Sequence, residues 1–122
     1  ESIFPEISRA LTQLEVDFLV NTTNDAWFGH TAAPHQHFAM AIVRAVETGR
    51  AVVRAANTGI SGVITPSGRV RFATDLFETT TFVEAVPLSQ RQTLYMRFGN
   101  WIVWCCGILL VFIWIRSKKR GA

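Results

Sequence analysis

The stretch Phe18-Leu19-Val20-Asn21-Thr22-Thr23-Asn24-Asp25-Ala26-Trp27-Phe28-Gly29 decides the fold of this 122-residue chain. Its apolar beginning predicts a short buried strand over residues 18–22. Two adjacent aromatics, Trp27 and Phe28, then fall in a polar loop bounded by Gly29, just past the carboxyl end of that strand. Open α/β sheets bind ligands at the carboxyl ends of their strands. An aromatic pair there can wall an apolar pocket while neighbouring amides orient a polar group. In isolation, a Trp-Phe pair is more simply read as folding back onto the core.

Working outward, Ser2 and Pro5 mark a helix start, with Ile7, Ala10, Leu11 and Leu14 on one face. Residues 23–33 form the aromatic loop. Pro34 suits a first helical position, and Phe38, Ala41, Ile42, Ala45 and Val46 keep helical spacing up to Gly49, a natural C-terminal cap. Residues 51–55 read as a valine-rich strand, Asn57-Thr58-Gly59 as a turn, and residues 61–74 as a hairpin turning at Pro66-Ser67-Gly68. High β propensity predicts a last strand over residues 79–86, and residues 87–97 form a link. Helices alternating with strands, followed by a hairpin, make the fold class layered α/β. About ninety soluble residues are too few to cover both faces of such a sheet.

Residues 101–115 are uninterrupted apolar sequence, and extending back to Phe98 adds only Gly99 and Asn100. Eighteen such residues at about 1.5 Å each approach a hydrocarbon core of about 30 Å. No polar face interrupts them, and Trp101 and Trp114 stand near the two ends. One C-terminal transmembrane helix over residues 98–116 is therefore expected, with a basic tail at 117–122. Arg116, Lys118, Lys119 and Arg120 account for the net charge of +3, since the remainder holds eight basic and nine acidic residues. The basic balance thus marks a cytoplasmic tail, with residues 1–97 on the outer side, and gives no reason to expect nucleic acid. Cys105 and Cys106 lie inside the apolar segment as small fillers.

Asn24-Asp25-Ala26-Trp27-Phe28-Gly29 is followed in order by Pro34-His35-Gln36-His37-Phe38, Arg44-Ala45-Val46-Glu47-Thr48-Gly49-Arg50, Arg54-Ala55-Ala56-Asn57-Thr58-Gly59 and Gly62-Val63-Ile64. This series resembles the carboxy-terminal half of the apolipoprotein N-acyltransferases, membrane enzymes built on the nitrilase (carbon-nitrogen hydrolase) fold. The resemblance covers nearly the whole chain. It implies a partial nitrilase-like α-β-β-α sandwich on the periplasmic side of the inner membrane, followed by the transmembrane helix. It also implies transfer of an acyl chain from a phospholipid to the amino-terminal cysteine of a diacylglyceryl lipoprotein, through a thioester on a cysteine. In the family that cysteine stands two residues before a glutamate in a pattern resembling C-Y-E-x-x-F-P. The chain opens Glu1-Ser2-Ile3-Phe4-Pro5, so the cysteine, with the family's lysine and glutamate base, is expected upstream, and these residues alone are expected to be inactive.

By the same resemblance, Glu1 supports the absent Cys-Lys-Glu site, while Trp27 and Phe28 pack on acyl chains and admit them from the bilayer. Asn24 is a further substrate-side candidate, although Asn24 and Asp25 read first as loop-shaping residues bonded to local amides. No cofactor is called for. His30, His35 and His37 raise the question of a metal, but His35 and His37 at i, i+2 point apart on a helix and no metal is assigned. Arg44, Glu47, Arg50 and Arg54 read as a structural charge network, Arg44 pairing with Glu47 at i, i+3. Arg50 or Arg54 could alternatively meet an anionic headgroup. Two rival readings are a membrane-tethered nitrilase-type amidase acting on a small soluble amide, and a non-catalytic membrane-anchored docking module.

Overall fold

The computed structural model describes residues 3–120. Helix α1 (Pro5–Thr12) begins at proline, leads to strand β1 (Phe18–Asn24), and a single 3-10 turn (Ala26–Phe28) follows. Helix α2 (Ala33–Thr48) carries Pro34 in its first turn, where the missing N–H costs nothing. It ends at Gly49 in the left-handed conformation, φ 65°. Strands β2 (Ala51–Asn57), β3 (Gly62–Ile64) and β4 (Val70–Ala73) complete a four-stranded sheet in the order β1-β2-β3-β4. β1 and β2 are parallel with α2 as their crossover, while β2-β3 and β3-β4 are antiparallel. Helices α3 (Leu94–Phe98) and α4 (Trp101–Arg120) end the chain.

The core lies between α2 and one sheet face: Phe38, Ala41 and Ala45 of the helix meet Leu19, Val52, Ile60 and Ile64. Two alanines on the contact stripe let the helix backbone approach the strands closely. That packing fixes α2 along the β1-β2 pair, and so fixes where its first turns meet the loop after β1.

Three expectations are corrected. Residues 79–86 form no strand: they meet the edge strand β4 through side chains, Phe82 stacking on Phe72 at 4.1 Å and Glu84 pairing with Arg71 at 3.0 Å. Side-chain stacking on the sheet takes the place of a hydrogen-bonded edge, so propensity alone misleads. β1 is an edge strand in which Leu19 is buried while Phe18 and Val20 are exposed. Its apolar run therefore supplies only one residue to the α2 core. The buried face of α1 is Ser8 and Thr12, whereas Ile7, Leu11 and Leu14 are exposed, Leu14 lying past the helix end.

At the C-terminal end, residues 87–97 carry more structure than a plain link. Phe98 ends α3 rather than opening the long helix, and Gly99 at φ 61° breaks the chain before Trp101. Residues Trp101–Lys118 are long and apolar enough to cross a membrane and are exposed throughout.

Candidate functional site

The loop after β1 is held by a carboxylate that the sequence reading treats as a local cap. Asp25 is fully buried and bonds no amide of its own loop through its side chain. Its Oδ2 accepts from Arg54 Nη2 at 2.9 Å, and its Oδ1 lies 2.8 Å from His37 Nδ1. Thr23 Oγ1 approaches Oδ1 at 3.4 Å. Both Asp25 and Arg54 side chains have 0% exposure, and His37 has 10%. An ionised carboxylate can only accept, so Nδ1 of His37 carries the proton in this contact. Arg54 Nη2 also stands 3.1 Å from Nδ1, but two donors facing one another do not bond. The opposite ring nitrogen, Nε2, is buried without a hydrogen-bond partner, an arrangement that costs about 1–3 kcal/mol.

Arg54 reaches this position from β2, directly opposite Asn21 in the parallel register. Its Nη1 donates to Asn21 Oδ1 at 2.8 Å and its Nε to the Ile60 carbonyl at 3.1 Å. Burial pulls the guanidinium below its ordinary value, and the Asp25 carboxylate pulls it back. Such a residue serves the interior of the fold and is closed to a lipid headgroup.

The other basic residues separate as well, so the single charge network resolves into distinct arrangements. Arg44 pairs with Glu47 at 3.1 Å across one helical turn, as expected. Arg50 is buried and clamps carbonyls: Val16 at 2.6 Å from Nε, with Arg91 at 2.8 Å and Gly49 at 3.4 Å from Nη1.

Above the buried carboxylate the loop backbone is tightly tied. Asp25 N–H donates to the Asn57 carbonyl at 3.2 Å, and Phe28 N–H to the Asp25 carbonyl at 3.0 Å. Asn24 Oδ1 accepts from Ala26 N–H at 3.1 Å and from Asn57 Nδ2 at 3.4 Å. Asn24 thus does shape the turn, as its residue type suggests. Gly59 needs its bare Cα, because a Cβ there would stand 2.3 Å from Asp25 Oδ2. The Asn57-Thr58-Gly59 turn is therefore shaped partly by the carboxylate it covers.

The two aromatics diverge. Phe28 is partly buried and meets the His37 ring edge-on, centroids 6.2 Å apart at 79°. Trp27 projects outward and is 80% exposed. The three histidines occupy separate environments: His35 is exposed, His30 stacks on Phe77 at 4.2 Å, and His37 serves Asp25. Glu1 lies outside the described residues. The structure thus brings Asn24, Trp27 and Phe28 into one loop. Sequence reading missed the convergence of Asp25, His37 and Arg54 on that loop. Its signal was present in the ordered motifs, three of which contribute one member each.

The loop sits at the amino end of α2, and α3 sits at the other. Thr93 Oγ1 donates to the Glu47 carbonyl, and Arg9 donates to the Met96 carbonyl through Nε and Nη2 at 3.3 and 3.2 Å. From His37 to Glu47 is ten residues, about 15 Å along the helix axis.

A carbon-nitrogen hydrolase family model matches residues 1–95. Among curated proteins the chain is 45% identical over 106 residues to the apolipoprotein N-acyltransferase of Geobacter metallireducens, covering 87% of this chain and 20% of that protein. It is 44% identical over 125 residues to that of Methylococcus capsulatus, covering 100% and 24%. With that of Shewanella oneidensis it shares 38% over 121 residues, covering 98% and 23%. The chain therefore spans about a fifth to a quarter of the length of these relatives.

Proposed function

Because the chain belongs to the carbon-nitrogen hydrolase family, we propose that it supplies the acyl-contacting part of an apolipoprotein N-acyltransferase. The donor in this reading is a phospholipid, and the acceptor is the α-amino group of a lipoprotein's diacylglyceryl cysteine. A cysteine thiolate attacks the phospholipid ester carbonyl and releases the lysophospholipid, leaving an acyl thioester. The amine then attacks the thioester, loses a proton and leaves an amide as the thiolate departs. A thiolate suits both halves because it is a good nucleophile and a good leaving group. A glutamate base moves the protons and a lysine stabilises the oxyanion. In this reading those three groups lie outside these residues, which alone carry out no transfer. Glu1 supports them by orienting the lysine. The soluble part completes a nitrilase-like α-β-β-α sandwich with further chain. Residues 98–116 cross the inner membrane, leaving 1–97 periplasmic and the basic tail at 117–122 cytoplasmic.

The observation that carries this reading is Trp27, an exposed indole on a loop whose base is anchored by a buried ion pair. A soluble protein gains little by holding a bare tryptophan in place, whereas an acyl chain laid on it removes both from water. The loop lies about 15 Å along α2 from the α3 docking point, so in this reading the acyl chain meets Trp27 at the end of α2 opposite α3.

The test is acyl transfer from a chain-labelled phospholipid to a diacylated lipopeptide by the complete gene product in membranes. Burying a large apolar side chain contributes about 1.5–3 kcal/mol. Trp27→Ala should therefore lower transfer by about 10- to 100-fold while leaving unfolding within about 0.5 kcal/mol, as for exposed positions generally. Hydrolysis of small soluble amides without acyl transfer would favour the tethered amidase instead.

A further inference from the structure

His37 bonds a carboxylate whose charge is already balanced. Arg54 neutralises Asp25 and ties it to β1, β2 and the Ile60 carbonyl, so the fold needs no third charged partner there. His37 nevertheless spends one nitrogen on Asp25 and leaves the other buried and unpartnered. For packing alone an apolar side chain would serve better. The difference between the two partners lies in what else they touch: Arg54 stitches the sheet, whereas the polar and aromatic contacts of His37 go to Asp25, to Phe28 and to Arg54 itself. Asp25 and Phe28 are the residues on either side of Ala26-Trp27.

Resting on the reading of residues 24–29 as the acyl-contacting loop, the geometry points to His37 as a positioning residue that clamps both flanks of Trp27. The exposed indole has few neighbours to hold it, so its direction is set by its flanking residues. Asp25 is fixed from below by the Nδ1 bond at 2.8 Å, and Phe28 is braced against the edge of the same ring. Rotation of the His37 ring would release both at once. His37 touches no substrate in this account and acts through the loop.

The experiment compares His37→Leu and His37→Asn in the complete gene product in membranes, reading local hydrogen exchange by mass spectrometry alongside transfer kinetics. Leucine fills the space and cannot bond Asp25, whereas the asparagine amide can donate to it. With His37→Leu, exchange in the peptide covering residues 24–29 should rise by about fivefold or more while β2 peptides stay unchanged. KM for the labelled phospholipid should rise by about tenfold with kcat within about twofold. His37→Asn should restore most of both. Unchanged exchange at 24–29, or a rise shared equally by β2, would overturn the clamp, the latter showing His37 to be a general packing residue. Failure of asparagine to rescue would overturn it too. Should the unsubstituted protein transfer no acyl chain, the acyltransferase reading falls, and the exchange arm still decides whether His37 holds the loop.

Discussion

Neutralising Asp25 would leave the Arg54 guanidinium buried with its charge uncompensated. Breaking such a pair from one side costs about 3–5 kcal/mol, and Asp25→Asn should approach that loss in denaturant unfolding of the complete protein. Arg54→Met should cost a comparable amount by stranding the carboxylate. A loss under about 1 kcal/mol in both would mean that water reaches the pair. Gly59→Ala probes the same carboxylate from the other side. Its new methyl would meet Oδ2 at 2.3 Å, and overpacking of this kind costs about 1–3 kcal/mol. At this scale the sequence was partly readable. The role of Asn24 follows from its residue type and position. That of Asp25 does not, because its partners lie 12 and 29 residues away in the chain. No local pattern distinguishes an aspartate capping its own turn from one reaching across a sheet.

Among the elements, α2 does most of the positioning: its first half holds the loop and its last turn receives α3. Tyr95, the one tyrosine within these 122 residues, reports on that second contact. Burial raises its phenol above the ordinary 10.0, helped by Glu47 and Glu6 and opposed by Arg44 and Arg9. The folded protein therefore keeps the phenolic proton over a range where the unfolded chain has lost it. The contribution of this group to stability is constant below about pH 10 and falls as pH climbs from there through the folded value. A tyrosinate absorbance titration should show a midpoint above 10. A midpoint at the free-tyrosine value would show that α3 does not dock on α2 in solution. Helix α2 itself was legible from Pro34, its apolar spacing and Gly49. Residues 79–86 were not, because propensity alone does not make a strand, and this segment meets the edge strand β4 through side chains rather than through backbone pairing. Here the sheet offers Phe72 as a stacking surface instead.

For the whole molecule, composition was the surest guide. An apolar run of this length with a basic end carries its own physics, and α4 emerges as a continuous helix over Trp101–Arg120. Cations follow the apolar body out of it, with Arg116 5.7 Å from the Phe112 ring and Lys118 4.8 Å from Trp114. Long basic side chains can lie over aromatic rings in this way while keeping their charge in water. The layered α/β class was equally accessible, since alternating helix and strand periods permit few other arrangements. The separation between the loop and α3 was hidden, because it depends on which end of α2 each one meets.

That separation makes the central claim open to one direct measurement. A phospholipid carrying a photoactivatable group on its acyl chain would be incorporated with the complete gene product in vesicles, irradiated, and its adducts mapped by mass spectrometry. Residues of α4 should label if that helix spans the bilayer as proposed. If the loop contacts the acyl chain, a second cluster of adducts should fall on residues 24–29, centred on Trp27 and Phe28, and should fade when unlabelled phospholipid is added in excess. Adducts confined to α4, with none on that loop, would contradict the account.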